Sequence, residues 1–198
     1  MRFVLYTLCF ALALTGMASA QGSMTLPAGF LSTDGNGATS FPFNNTADHK
    51  WQWHYANSNF AAAGVTGPIT ITGISVRMST ALAAAVGWDF PSVDVYMGSA
   101  TTGYQLGQHD TTFANNTCAD LTLMRSGPWV GSQAAAAAGA AAGDWISLGA
   151  TNTFSYDPGL GRDIIVQIEK CGTVATMGAS LDGASGGAGT NGGNRYGD

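Results

Sequence analysis

Apolar and polar residues alternate in several short segments of the chain. Ile69 and Ile71 alternate with two threonines, and the apolar positions change phase after Gly73. A two-residue period is typical of a half-buried strand, and a phase change at a glycine is typical of a β-bulge. The segment 93–97 alternates in the same way, so the sequence predicts that it pairs with the segment 68–78. This pair is expected to form the centre of an antiparallel sheet with one packed face.

More segments of this kind follow along the chain, and turns rich in glycine and proline separate them. Strands are predicted at 50–55, 121–128, 144–148, 152–156, 163–169 and, more weakly, 172–181. The density of β-branched residues in 163–169 predicts a central position in a sheet. The alanine-rich segment 81–90 is expected to form at most a helical turn, and 132–143 is expected to form a low-complexity hairpin loop.

These patterns together predict the fold class. About eight short strands without a long amphipathic helix favour an all-β fold, specifically an antiparallel β-sandwich of the jelly-roll kind. Residues 21–198 are expected to form a single domain. The glycine-dominated segment 182–198 is expected to be a loop or a truncated end, which would leave the sandwich without a closing C-terminal strand and with an open edge.

The first 20 residues match the pattern of a secretory signal peptide. Arg2 provides the positive charge, residues 4–14 are apolar, and residues 18–20 form a small-residue A-x-A cleavage site. The apolar run is too short to span a bilayer comfortably, and a buried N-terminal helix is the alternative. The mature protein is therefore expected to begin at Gln21, to be secreted or held at the cell surface, and to have no membrane span.

The charge of the mature chain narrows the possible partners. Cleavage removes Arg2 and no acidic residue, so 6 basic and 12 acidic residues remain and the net charge becomes −6. Binding of nucleic acid requires clustered lysine and arginine, which this chain lacks. A hydrophobic content of 45% argues against intrinsic disorder. Polysaccharides and components of a cell surface or matrix are the partners that remain.

The two cysteines of the mature chain, Cys118 and Cys171, are predicted to form a disulfide. An even number of cysteines in an exported protein favours pairing, and closing this loop would stabilise the fold by about 4 kcal/mol. Two free thiols and half of a metal site are the alternatives. No further cysteine and no nearby pair of histidines completes a zinc site.

An aromatic strand is the strongest candidate for a ligand-binding site. Trp51, Trp53 and Tyr55 alternate with polar residues, so all three rings are expected on one face of a strand. Such a row could stack on sugar rings, but packing into the core is the favoured expectation, because aromatic side chains contribute most to burial. No cofactor is expected, although the turn at 34–36 or Asp182 could offer oxygen ligands to calcium.

No motif for catalysis occurs in the structural context that it requires. The segment 183–187 matches G-x-S-x-G and the segment 187–192 matches G-x-G-x-x-G, but glycine-rich loop flanks both. The three histidines, His49, His54 and His109, have no metal-ligand spacing. Each is expected to be an ordinary surface or core residue.

Several short motifs in the mature chain carry a resemblance to a known group. They are Leu-Pro-Ala-Gly-Phe at 26–30, Phe-Pro-Phe at 41–43 with Trp-Gln at 51–52, Thr-Phe-Ala-Asn-Asn at 112–116, Ser-Gly-Pro at 126–128 and Phe-Ser-Tyr-Asp-Pro at 154–158. In this order they resemble uncharacterised exported bacterial β-sandwich proteins, some of which carry a PEP-CTERM-type sorting signal. The resemblance implies export and a β-sandwich, and it implies no activity.

Three functional hypotheses follow from the sequence. The first is a secreted, non-catalytic structural or surface-associated protein, favoured by export, sparse charge and the missing catalytic motif. The second is a carbohydrate-binding module that uses Trp51, Trp53 and Tyr55, which requires those rings to face solvent. The third is a secreted hydrolase, which requires two carboxylates across a cleft or a serine and a histidine within hydrogen-bond reach.

Overall fold

A computed structural model describes residues 22–79, 83–103, 109–135 and 145–184, together with the backbone of 193–197. The predicted signal peptide at 1–20 lies outside these residues. So do most of the alanine-rich segment 132–143 and most of both glycine-rich motifs between 183 and 192. Within the described residues no helix is long and apolar enough to cross a membrane.

The chain is nearly all β, as the sequence predicts. The strands are β1 (Gly37–Thr39), β2 (His49–Tyr55), β3 (Ile69–Ile71), β4 (Ser75–Val76), β5 (Val86–Phe90), β6 (Ser92–Ser99), β7 (Thr122–Arg125), β8 (Trp129–Gln133), β9 (Ile146–Ser147), β10 (Phe154–Tyr156), β11 (Ile164–Cys171), β12 (Leu181–Gly183) and β13 (Gly193–Gly197). A five-residue helix, α1 (Ser58–Ala62), and 3-10 turns at Phe113–Asn116 and Pro158–Leu160 lie between them. The finer prediction of a jelly-roll sandwich stays a prediction.

The largest sheet has five antiparallel strands in the order β13, β2, β11, β6, β7. The central position predicted for 163–169 is confirmed, because β11 pairs with β2 on one side and with β6 on the other. Ile168 lies opposite Trp51 of β2 and opposite Val95 of β6. Residues 164–168 are all buried, so both faces of this strand are covered.

The predicted pairing of 68–78 with 93–97 is wrong. The first segment forms two strands with different partners, since β3 pairs with β10 and β4 pairs with β9. The second segment belongs to β6, whose neighbours are β11 and β7, and the register shift lies at Val95 and Tyr96 rather than at Gly73. Alternation identifies which side chains of a strand are buried, but it contains no information about which strand lies beside it.

The helical turn predicted at 81–90 is also wrong from residue 86 onward, where the chain forms β5. This strand pairs with β8 and places Trp88 opposite Gly131. A β-carbon at Gly131 would lie 2.4 Å from the Trp88 ring, so only glycine lets the indole lie flat on the neighbouring strand. Trp129 packs against both Phe43 and Phe90, with ring centroids 4.8 Å and 5.9 Å away. A strand that carries part of a packed aromatic cluster therefore replaces the expected helical turn.

The glycine-rich end is not simply a loop. Residues 181–183 form β12, which pairs with β1, and residues 193–197 form β13, which pairs with β2 at an edge of the five-stranded sheet. The weak strand predicted at 172–181 is reduced to isolated bridges at Ala175 and Leu181. Backbone hydrogen bonding depends little on side-chain hydrophobicity, so a segment without apolar alternation can still add a strand to an edge.

A single cluster of buried apolar side chains forms the core. It lies on one face of the five-stranded sheet, where β11 contributes Ile164, Val166 and Ile168 and β6 contributes Val93 and Val95. Side chains of the small two-stranded sheets close the same cluster; they are Val76, Trp88, Phe90, Trp129, Phe154, Tyr156 and Leu181. The opposite face of the large sheet is the polar one.

The substitution Val166→Ala is expected to lower the free energy of unfolding by about 2 kcal/mol, because it removes two buried methyl groups from the central strand. Val166 is 4% exposed, whereas Val174 is 71% exposed. Val174→Ala is therefore the matched control and is expected to change the free energy by less than about 0.5 kcal/mol. Urea denaturation measures both values, and equal effects would contradict the position of β11.

Candidate functional site

The aromatic strand predicted to bind ligand faces the core. Trp53 is 9% exposed and belongs to the core cluster, and Trp51 and Tyr55 are partly buried against it. Phe41 stacks on Trp51 with ring centroids 5.0 Å apart and planes 4° from parallel. Burial also raises the pKa of Tyr55. The three rings therefore form no exposed platform, and their predicted role in ligand binding loses its structural basis.

Two polar side chains that alternate with these rings, Gln52 and His54, are also buried, on the opposite face of β2. Residues 109–117, here called the cover, lie over this face. The cover returns to the sheet where Thr117 forms a bridge with Ala100 and the amide of Cys118 donates to the carbonyl of Ser99. The polar face of β2 is thus enclosed between the sheet and the cover.

Carboxamides join the cover to the sheet at Gln52. The Asn116 Nδ2 atom donates to Gln52 Oε1 at 3.0 Å, and Gln52 Nε2 donates to Gln167 Oε1 at 2.7 Å and to the Phe113 carbonyl at 3.2 Å. Gln167 Nε2 in turn donates to Glu169 Oε1 at 2.8 Å. Because a buried amide without a partner is costly, this chain of bonds fixes the cover in one position.

An imidazole chain forms the second connection. His54 Nε2 lies 3.0 Å from Asp163 Oδ2, and His54 Nδ1 lies 2.9 Å from His109 Nε2. The other carboxylate oxygen of Asp163 accepts a bond from the Asn57 amide at 2.8 Å. Because the carboxylate can only accept, we assign a proton to His54 Nε2; His54 Nδ1 then accepts the proton that His109 Nε2 donates.

The surroundings of this chain decide what it can do chemically. His54 and Asp163 are 1% and 5% exposed, and both ring nitrogens of His54 are bound to protein groups. His54 therefore holds His109 in place and cannot act on a substrate without breaking one of these bonds. Burial, followed by the nearby charge of His54, lowers the pKa of His109. The pair of imidazoles can accept a proton at His109. The groups bound to His54 belong to the protein itself.

Beyond the cover, a row of charged side chains continues across the same face of the sheet. Lys50 Nζ lies 2.9 Å from Glu169 Oε1, and Asp94 is the residue opposite Glu169 on β6. Asp94 accepts bonds from the Ser126 hydroxyl and from the Gly127 amide. The two carboxylates lie side by side on one strand pair, each with its own donors. A glycosidase instead holds its two carboxylates on opposite sides of a bound sugar.

A shallow cavity of about 260 Å³ opens at the end of this row. Its lining consists of ionisable residues, namely Asp48, His49, Lys50, Glu169, Lys170 and Cys171. Lys170 is fully buried and its Nζ donates to the carbonyls of Asn45 and Ala47 and to the Thr173 hydroxyl. Burial lowers the pKa of Lys170. These contacts give Lys170 the role of anchoring the 45–47 loop.

The predicted disulfide is wrong, since Cys118 and Cys171 are both free thiols. Cys118 bonds to Ser99, which lies opposite Ile164 at one end of β11, whereas Cys171 is at the other end. Seven residues of extended chain place the two cysteines on the order of 20 Å apart. A disulfide requires α-carbons within about 7 Å.

One of the possible calcium ligands, Asp182, is bound to an arginine instead. Asp182 forms an ion pair with Arg77, at 2.6 Å, and its two carboxylate oxygens accept the Gly35 amide at 3.1 Å. Arg77 also donates to the carbonyl of Thr33. A β-carbon at Gly35 would lie 2.1 Å from the Gly183 carbonyl oxygen, so the turn requires glycine. The guanidinium occupies the place that a cation would need, and no group of metal ligands occurs elsewhere in the described residues.

The sequence does not predict a buried polar face, because polar residues that alternate with apolar ones are typical of the solvent side of a half-buried strand. Gln52 and His54 give the only available signal, since uncharged polar residues occupy positions where a solvated strand more often has charges. Nothing local connects them to His109 or Asn116, which lie more than 50 residues away. The pairing depends on where the connection between β6 and β7 folds.

No protein family, curated protein or solved structure matches the chain in the comparisons.

The substitution Asn116→Ala is expected to lower the free energy of unfolding by about 2 kcal/mol, because Gln52 Oε1 loses a donor in a buried site. Asn116 is 3% exposed. Its neighbour Asn115 is exposed and bonds to Asp110, so Asn115→Ala is the matched control, with an expected loss of less than about 0.5 kcal/mol. Thermal or urea denaturation would show equal losses if the amide chain were unimportant.

The mature protein is expected to contain two free thiols without any reductant. Alkylation in denaturant followed by mass spectrometry should add two groups, one at Cys118 and one at Cys171. If no group is added before reduction and two are added after it, the cysteines form a disulfide. That result would contradict the register of β11.

Proposed function

We propose that the protein is a secreted, non-catalytic structural or surface-associated protein, built as a β-sandwich in its mature form. Its expected surroundings are an extracellular matrix or a cell surface, with polysaccharide or surface components as partners. The signal-peptide pattern at 1–20 supports export, and the low content of charged residues, 10%, supports a neutral rather than a polyanionic partner.

The placement of the side chains that could take part in catalysis supports the proposal that the protein is not an enzyme. The aromatic rings of β2 pack in the core, and His54 has both nitrogens bound within the protein. Asp94 and Glu169 each accept protein donors and lie on one flat strand pair. Groups that are fully used for internal contacts contribute to rigidity rather than to turnover.

Carbohydrate binding is the second candidate function. The surface that we propose for it is the outer face of β6 rather than β2. Tyr96 is half-buried there, with Gln167 opposite it on β11. Burial raises the pKa of its hydroxyl, and the charges of Glu169 and Asp94 raise it further, so the phenol stays neutral. A neutral ring beside an amide and carboxylates is a surface to which a sugar can bind.

Export is tested by expression of the full chain in a bacterial host with a secretory pathway. The expected product is found outside the cytoplasm and begins at Gln21, as determined by intact mass. Deletion of residues 2–20 should retain the product in the cytoplasm. A full-length product starting at Met1 in the cytoplasm would contradict the proposal.

Binding and catalysis are tested on the same purified protein. The protein is assayed on a glycan array and with chromogenic ester and glycoside substrates, with Tyr96→Ala and Tyr96→Phe as paired variants. Glycan binding that is lost in Tyr96→Ala and retained in Tyr96→Phe would favour carbohydrate binding. Turnover that His109→Gln abolishes would overturn the non-catalytic proposal.

A further inference from the structure

Backbone and side-chain bonds both hold the cover to the sheet. Its C-terminal end is fixed by backbone bonds next to Ser99, and Phe113, which is 7% exposed, receives the Lys50 ammonium at 5.4 Å from its ring centroid. Side chains also bond the cover to the rest of the protein. Thr101, just after β6, donates to the Asn115 carbonyl, and Gln52 and His54 of β2 bond to the cover as described above. The amide bonds are insensitive to pH, whereas the bond between His54 and His109 depends on how many protons the two rings carry.

The proton content of the two imidazoles limits this bond. Two rings have four nitrogens, and a bond between His54 Nδ1 and His109 Nε2 needs one of these two nitrogens without a proton. The closed pair can therefore hold three protons, with one of them in the bridge. A fourth proton places two donors and two positive charges at a separation of 2.9 Å, and the bond cannot form.

We infer that residues 109–117 act as an acid-released cover, which the His54–His109 bond holds closed at neutral pH and which opens when both rings are protonated. Relative to the closed pair with three protons, opening takes up one further proton. It exposes the strip of sheet that contains Gln52, His54 and Gln167, while the five-stranded sheet itself stays folded.

Two ionisable groups near the pair have pKa values that are shifted away from that of histidine. Asp110, next to His109, accepts the Asn115 side chain and the Thr112 amide, and these bonds lower its pKa. Tyr156 donates to the Arg162 carbonyl, and burial raises its pKa. Asp163 bonds directly to His54, and its charge also raises the pKa of Tyr156. Lys50, four residues from His54 along β2, is paired with Glu169. The Asp163 carboxylate, 3.0 Å from His54 Nε2, favours a proton on that nitrogen.

The sign of the pH dependence follows from linkage. A histidine whose pKa is lower in the closed state than the usual 6.5 binds its proton more weakly there, so the open state gains stability as the pH falls below about 6.5. The closed state is fully favoured above that value. The stability of closing is lost progressively downward from about pH 6.5 toward the lowered pKa of His109.

Hydrogen exchange measured by mass spectrometry tests the inference directly. Protection of the peptide 109–118, corrected for the intrinsic effect of pH on exchange, is expected to fall about tenfold between pH 7.5 and 5.0. Protection of β11 should not change over this range, which separates opening of the cover from global unfolding. A constant protection of 109–118 would overturn the inference.

Two variants decide whether the pair is responsible. In His109→Gln the protection of 109–118 is expected to be independent of pH, whatever its absolute level. Without the second imidazole, two positive charges can no longer meet at this bond. His49→Gln changes the third histidine, on the other face of β2, and should retain the fall seen in the wild type. A fall that persists in His109→Gln, or that disappears in His49→Gln, would contradict the assignment.

A measurement on the wild type alone covers the case in which His109→Gln does not fold. Nitrogen-15 NMR of the imidazoles at pH 7.5 should show one proton on His54, at Nε2, and one on His109, at Nε2. On acidification, loss of the bridging proton signal should accompany the second protonation and the loss of protection in 109–118. Independent titration of the two rings would overturn the inference.

Discussion

The structure depends on the double pairing of β11. This strand forms antiparallel ladders with β2 along seven residues and with β6 along eight, and both of its faces are covered. A strand in this position loses most of its contact with water, so each of its side chains must either be apolar or have a polar partner. Ile164, Val166 and Ile168 meet this requirement toward the core. Gln167 and Glu169 meet it on the other face, through bonds to Gln52 and Lys50.

This two-faced strand explains where the candidate site lies. Gln52 and His54, which lie opposite Gln167 and Ile165, would face water if nothing packed on that side of the sheet. The connection between β6 and β7 instead folds back and supplies Asn116, His109 and the Phe113 carbonyl as partners. Each of these bonds adds little to the free energy of unfolding, but a buried polar group left without its partner in the same place costs about 1–3 kcal/mol. The network therefore specifies one position for the cover, and we infer that the bond between His54 and His109 makes that position depend on pH.

The sequence predicted the elements more accurately than their arrangement. The all-β class, the strand at 50–55 and the central place of 163–169 follow from alternation and β-branched content, which are properties of one segment at a time. The partner of each strand, the absence of a disulfide and the extra edge strand at 193–197 depend on contacts between distant segments. The direction of the Trp51 row was undecided for a related reason. Alternation divides a strand into two faces, and here both faces are buried, so hydrophobicity alone did not indicate that the polar face has a cover.

The most direct test of this account is a set of nuclear Overhauser contacts from the backbone of Ile168 in the folded protein. The account predicts cross-strand contacts from Ile168 to Trp51 on one side and to Val95 on the other. Contacts from Val95 to the segment 69–78, with none to Ile168, would show that the apolar strands pair in another order. The polar face, the cover and the core would then all be placed incorrectly.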